Sequence, residues 1–257
     1  MVQSFSDQLG NIISLQHPPQ RIVSLVPSQT ELLFYLGLQK EVLGITKFCV
    51  HPSEWRQRKT IVGGTKKFHF DIIKKLNPDL IIGNKEENYR DGIEQLRGDF
   101  PVWMSDIITL EDAFSMIESV GALTDKNPEA VRCVEEIKTR FGRIKNYGDR
   151  SVLYLIWKDP WMAAGKQTFI DSILSAIGLK NVVQGNRYPV LSLEDIRTLS
   201  PQIIFLSTEP FPFARTHANE LSEVSQAKVL LVDGEMFSWY GSRLIKAADY
   251  FNALEIN

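Results

Sequence analysis

The side chains able to recognise a ligand gather in a few short stretches of this sequence. Phe48, Cys49 and His51 stand together, as do Asn84, Lys85, Glu86 and Glu87; then come Trp157, Lys158 and Trp161, Glu209 and Phe211, and Phe237, Trp239 and Tyr240. A Trp, Tyr or Phe ring can cover roughly 150 to 250 Å². Several such rings suit a broad, partly apolar small molecule, with the Lys and Glu between them orienting its polar edge. Trp161, between Pro160 and Met162, and Trp239-Tyr240-Gly241 read as the least core-like of the rings, whereas Trp157 or Phe237 can equally finish a core.

Other chemistries are less well served. A direct zinc or manganese receptor needs three or four converging His, Asp or Glu ligands. Only four histidines exist, His17, His51, His69 and His217, and Glu87 is the carboxylate that joins His51 and His69 in such a reading. Cys49-x-His51 offers an axial ligand to a bound cobalt or iron centre, or simply a partly buried thiol beside a loop imidazole. AAGKQT ends like a phosphate loop, yet Pro160 stands where its first Gly belongs and Gln167 where its Ser or Thr belongs. No GxGxxG follows a strand, and neither HExxH nor GxSxG occurs. Glu86-Glu87 fits acid-base work in principle, but a KEEN loop is ordinarily a solvated turn. No enzyme activity is expected.

Composition narrows the class further. The chain has 257 residues with 29 Lys+Arg against 31 Asp+Glu, a net charge of -2 that gives no surplus for nucleic acid. Hydrophobic residues at 44% and charged residues at 23% describe a globular protein with a full core. Cys49 and Cys133 are too few for a disulfide framework or a four-cysteine zinc site. No run approaches the roughly 18 apolar residues of a membrane span, and the first residues lack the pattern of a secretion leader. A soluble chain is expected, either cytoplasmic or a mature form whose leader Met1 replaces.

The elements that must position these loops follow an α/β rhythm. A hairpin is expected in SFSDQLGNIISL, a strand at Arg21 to Val26, and a helix from Ser28, whose spacing to Glu31 fits a capping box and which Gly37 stops. Strands follow at Val42 to Thr46, Leu80 to Ile82 and Pro101 to Met104, with helices at Asp71 to Leu76 and Leu110 to Leu123. One long amphipathic helix is then predicted from Pro128 to Lys145, with Asn127 as its cap and Val131, Val134, Ile137, Phe141 and Ile144 along one stripe. Beyond it the first half recurs. SQTELLFYLGL matches TFIDSILSAIGL, pairing Glu31 with Asp171 and Gly37 with Gly178, and FDIIKKLNPDLII matches LEDIRTLSPQIIF, pairing Asp71 with Glu194 and Pro78 with Pro201. Two similar α/β lobes are predicted, 1–124 and 148–257, with mainly parallel sheets flanked by helices and joined by one long hinge helix over 125–147. Ligands of open parallel sheets sit beyond the carboxyl ends of the strands, so the cleft between the lobes is the expected site.

RIVSLVPSQTELLFYLG, NPDLII, the long central helix and FSWYGSRLIKAADYF together resemble the helical-backbone periplasmic-binding-protein family over nearly the whole chain, and within it the cobalamin-binding branch most. The resemblance implies a substrate-binding protein of an ABC importer. Its ligand would be a metal chelate, cobalamin or another corrinoid, haem or an iron-siderophore, so that cobalt or iron arrives with the ligand and the protein has no cofactor of its own. It also implies ligand contacts near Phe48 to His51, Trp161, Tyr188 and Trp239-Tyr240, joined here by Trp157. Asp71 and Glu194 match the acids that dock, one per lobe, onto arginines of the permease dimer. An acid in a helix's first turn also stabilises that helix by itself. Cobalamin binders carry tryptophans near Thr65 and Asn84, whereas this chain has GGTKK and NKEEN, so Lys66, Glu86 and Glu87 add charge there and favour a more polar ligand. A monomer outside the cytoplasm is implied, touching the membrane only through the permease. The rival of a different class is a cytoplasmic corrinoid or iron-chelate carrier or sensor.

Overall fold

A computed structural model describes residues 2–256. The chain forms two compact units: Met1–Ile107 with Glu111–Glu136 and Tyr240–Arg243, and Ile108–Leu110 with Ile137–Trp239 and Leu244–Asn257. In order, the first part of the chain holds β1 (Gln3–Ser6), β2 (Ile12–Leu15), β3 (Ile22–Ser24), α1 (Pro27–Tyr35), β4 (Val42–Ile45), α2 (Ser53–Arg58), β5 (Thr60–Ile61), β6 (Gly63–Gly64), β7 (Lys67–Phe68), α3 (Phe70–Leu76), β8 (Leu80–Asn84), α4 (Arg90–Arg97), β9 (Val102–Ser105) and α5 (Leu110–Leu123). Helix α6 (Asn127–Phe141) belongs to the first unit through Glu136 and to the second from Ile137. Then follow β10 (Arg150–Trp157), β11 (Trp161–Ala163), α7 (Phe169–Ala176), β12 (Leu179–Asn181), β13 (Val190–Leu191), α8 (Leu193–Leu199), β14 (Ile203–Ser207), α9 (Arg215–Val224), β15 (Lys228–Val232), α10 (Gly234–Ser238) and α11 (Arg243–Ala253).

The first sheet runs β5-β4-β3-β8-β9 with every neighbour parallel. Strands β8 and β9 are buried at all their residues, as expected where helices cover both faces and the sequence need not alternate. The second sheet repeats this order as β12-β10-β14-β15, again parallel. It adds the antiparallel pair β11 and β13. Strand β10 is long enough to share one edge: Arg150 to Val152 pair with β12, while Leu155 and Trp157 pair with β11.

Backbone geometry carries the duplication as clearly as strand order does. Helices α1 and α7 are both followed by a left-handed glycine, Gly37 at φ 82 and Gly178 at φ 75. Helices α3 and α8 both span seven residues and both close on a left-handed residue before a proline, Asn77 at φ 44 and Ser200 at φ 43. Asn takes that conformation readily, and a proline just past the helix end, Pro78 or Pro201, is common at such caps.

Two local expectations are corrected. Ser28 does not cap α1, because Pro27 at the first helical position starts the helix one residue earlier, with Val26 as its N-cap. Helix α6 ends at Phe141, short of Lys145, as Gly142 follows it and glycine disfavours helix. Its buried stripe is Ala130, Cys133, Val134 and Ile137, whereas Val131 is exposed. Among the described residues no helix is long and apolar enough to cross a membrane.

Candidate functional site

In the first unit the loops after β4 and β8 and the hairpin β6–β7 form a candidate half-site. Asn84 ends β8, and its Oδ1 accepts from the backbone amides of Glu86 at 2.8 Å and Glu87 at 3.1 Å. Asn88 locks the same turn from its other end: its Oδ1 accepts from Asn84 N at 2.9 Å, and its Nδ2 donates to the carbonyls of Leu25 and Thr65. An Asx-type turn of this kind fixes its backbone without help from a ligand. Glu86 and Glu87 are therefore displayed from a rigid base. Lys66 Nζ donates to the Glu86 carbonyl at 2.6 Å, and Tyr240 Oη donates to Glu87 Oε1 at 3.1 Å. Tyr240 is buried, and burial followed by the Glu87 charge pushes its phenol well above the ordinary range, so it stays a proton donor.

The neighbouring residues divide into exposed and buried. Phe48 is half-exposed, with Lys47 Nζ 5.0 Å from its ring centroid. Cys49 is fully buried, with Thr30 Oγ1 at 3.1 Å and Thr46 Oγ1 at 3.2 Å from Sγ, and burial raises its pKa. It is a core thiol in this structure. His51 is partly exposed. Among the described residues no group of three His, Cys, Asp or Glu side chains is placed to hold a metal ion.

The second unit presents a related arrangement after the equivalent strand. Glu209 follows β14 and accepts from Trp239 Nε1 at 2.8 Å and Ser238 Oγ at 2.9 Å. Burial raises its carboxyl pKa, and those two bonds pull the other way. Tyr154 Oη donates to Ser207 Oγ at 3.1 Å in the core beside it. Trp157 is exposed at 39% and meets Phe211 edge-on at 5.5 Å. Trp161, Trp239 and Tyr240 all reverse the expectation that they are the least core-like rings: each is buried, and Trp161 lies parallel to Phe213 at 5.9 Å. Lys158 Nζ lies 5.1 Å from the Trp161 ring and pairs with Glu220. Tyr188 is partly exposed, with the Arg187 guanidinium 6.0 Å from its ring.

Asp71 and Glu194 occupy the same position, second in the first turns of α3 and α8, and both are exposed. Glu194 pairs with Arg197 at 2.7 Å, but both side chains are two-thirds exposed, where such pairs contribute little. Sequence reasoning missed Lys47, Asn88 and Glu31. Lys47 adjoins the ring at the end of β4, and the four-residue spacing of Asn84 and Asn88 around Glu86-Glu87 is a readable turn signal. Glu31, whose carboxylate meets Arg243 Nε at 2.8 Å, had no local signal, since its partner is 212 residues away.

A sequence profile described as periplasmic binding protein matches residues 22–227. A vitamin B12-binding protein of Pectobacterium carotovorum is 24% identical over 239 residues, covering 90% of this chain and 86% of that protein. An ABC transporter substrate-binding lipoprotein of Bacillus subtilis is 24% identical over 262 residues, covering 96% and 83%. Among solved structures, a periplasmic haem-binding protein of Pseudomonas aeruginosa superposes with TM-score 0.80 at 22% identity, covering 91% of this chain and 92% of that one. The periplasmic vitamin B12-binding protein of Vibrio cholerae superposes with TM-score 0.75 at 21% identity, covering 92% and 96%. At these identities the two superpositions establish the two-lobed α/β fold.

Proposed function

This chain belongs to the periplasmic binding protein family, and from that premise we propose that it is the substrate-binding component of an ABC importer. Its cargo is a metal chelate of the corrinoid, haem or iron-siderophore kind, whose cobalt or iron comes with the ligand; the protein holds no cofactor of its own and binds without turnover. It acts outside the cytoplasm as a monomer, and Asp71 and Glu194 dock it onto a two-fold permease.

One observation supports this reading above the others. The equivalent strands β8 and β14 are each followed by a carboxylate held by a ring donor, Glu87 by Tyr240 and Glu209 by Trp239, and each unit also exposes a ring, Phe48 in the first and Trp157 in the second. A fixed carboxylate together with exposed ring surface in each unit suits a broad, partly apolar ligand with polar groups at its edge. The proposed contacts are Phe48, Lys66, Glu86, Glu87, Trp157 and Tyr188, with His51, Trp161, Trp239, Tyr240 and Cys49 supporting from partly or fully buried positions.

The test is a titration with cyanocobalamin, haem and ferric siderophores followed by tryptophan fluorescence. At least one should quench Trp157 and Trp239 emission saturably, at about micromolar concentration or below. A flat response to all of them, or steady conversion of a bound chelate, refutes the reading.

A further inference from the structure

The imidazole of His217 has two tasks in the second unit, and one of them requires it to be uncharged. It is the third residue of α9, whose N-cap, Ala214, has no side-chain oxygen to offer the helix. The cap is made in reverse: Ala214 N donates to His217 Nδ1 at 2.9 Å, while His217 N donates to the Ala214 carbonyl at 3.0 Å. A backbone amide can only donate, so Nδ1 carries a lone pair and the ring is neutral. The same ring stands edge-on to Phe211 at 5.4 Å and to Phe213 at 5.5 Å. Those two phenyl rings are 4.7 Å apart; Phe211 meets Trp157 at 5.5 Å, and Phe213 lies along Trp161 at 5.9 Å. His217 therefore joins the start of a helix to a run of four rings, one of which, Trp157, is exposed.

A proton on Nδ1 undoes the first task. It removes the acceptor, sets the Ala214 amide against another donor, and places a positive charge in a helix's first turn, where the macrodipole is already positive. The charged groups on the first two turns of α9 and on the loops bordering these rings are Arg215, Glu220, Lys158, Asp159 and Glu209. Arg215 opposes a second cation beside it, Glu220 is paired with Lys158, Asp159 is exposed, and Glu209 accepts from Ser238 and Trp239.

We propose that His217 is a positioning residue for the Trp157–Phe211 surface, and that acidification frees this surface, so that cargo is held at neutral pH and loosened in acid. His217 acts through Phe211 and Trp157. The inference rests on the chelate-binding function proposed above and adds its regulation by pH.

The experiment measures dissociation constants of cyanocobalamin, haem and a ferric trihydroxamate for the full chain, His217→Gln and His217→Phe, at about pH 7.5 and 5.5, on either side of the ordinary imidazole range. Any titration of a probe itself acts on all three proteins alike. Gln keeps an acceptor at the third helical position without the ring, and Phe keeps a ring without the acceptor. Circular dichroism checks that both fold. In the full chain the probe that binds should lose roughly two- to tenfold in affinity on acidification, the range expected for one hydrogen bond. The Ala214 amide should lose hydrogen-exchange protection over the same interval. In both variants affinity should be indifferent to pH, with Ala214 protected throughout in His217→Gln and unprotected throughout in His217→Phe. One pH profile shared by all three proteins assigns the acid response elsewhere, to Glu209 for example, and overturns the inference, as does Ala214 protection indifferent to pH in the full chain. Failure of every probe to bind refutes chelate capture itself. Ala214 exchange and the near-ultraviolet dichroism of the rings then still decide whether the neutral imidazole holds them.

Discussion

Arg243→Ala should be among the most damaging single substitutions outside the apolar core. Tyr240–Arg243 belongs to the first unit although Trp239 before it and Leu244 after it belong to the second. The segment is fixed at both ends: Tyr240 donates to Glu87, and Arg243 Nε donates to Glu31 Oε2 at 2.8 Å. Between them Gly241 at φ 92 lies within van der Waals reach of Leu32 and the Ser28 carbonyl on α1. The ion-paired side chains are only 5% and 12% exposed, so deleting Arg243 strands the Glu31 charge where water reaches it poorly. Removing one partner of a buried pair costs about 3 to 5 kcal/mol. At roughly 2 to 4 °C per kcal/mol for a protein of this size, Tm should fall by about 6 to 20 °C. Thermal and urea unfolding followed by circular dichroism measure this directly. Glu31→Leu combined with Arg243→Met removes both charges and should recover most of the loss, because desolvation, not attraction, then dominates. A single-variant cost below about 1 kcal/mol, or a double variant as unstable as the sum of its parts, would refute the reasoning.

Two further outcomes are expected. Asp71→Ala with Glu194→Ala should abolish import in a reconstituted transporter while leaving chelate affinity unchanged, since both acids are exposed on helices α3 and α8; loss of affinity in the binding titration would remove the docking role. Burial pushes the Cys133 thiol from 9.0 up to about 12 and raises Cys49 as well. The folded chain therefore keeps protons that the unfolded chain loses above about pH 9, and stability should fall as pH rises from there towards 12. Cys133 alone contributes up to about 4 kcal/mol across that window, and urea melts of Cys133→Ala should show a flatter decline between pH 8 and 10.5.

The sequence was most legible where local physics decides. Helix α5 over Leu110–Leu123 was readable from its apolar period, and β8 from the short apolar run after Asn77-Pro78. The repeat was readable because each copy keeps its stop residue, Gly37 and Gly178, where the backbone must turn left-handed. What escaped reading depended on distant partners. Trp161 looks loop-like between Pro160 and Met162, yet Phe213, more than fifty positions later, supplies the ring it packs against. Trp157, equally apolar in sequence, stays exposed at the last position of β10. Cys49 reads as a ligand beside His51 until the two threonines that enclose its sulfur are seen.

Duplication accounts for one part of the candidate site and not for another. Glu87 and Glu209 follow equivalent strands, β8 and β14, so a repeated unit explains why each sheet ends in a carboxylate. It does not explain their donors, because Trp239 and Tyr240 occur once, as consecutive residues, and donate respectively to Glu209 and Glu87. The chemistry differs at the two carboxylates, too: an indole N–H can only donate, whereas a phenol can donate or accept. Glu209 is raised by burial while also accepting from Ser238 Oγ, and Tyr240 is raised by burial and by the Glu87 charge, so the phenol keeps the proton it donates. The two carboxylates are thus alike in their place in the fold and distinct in their hydrogen bonding.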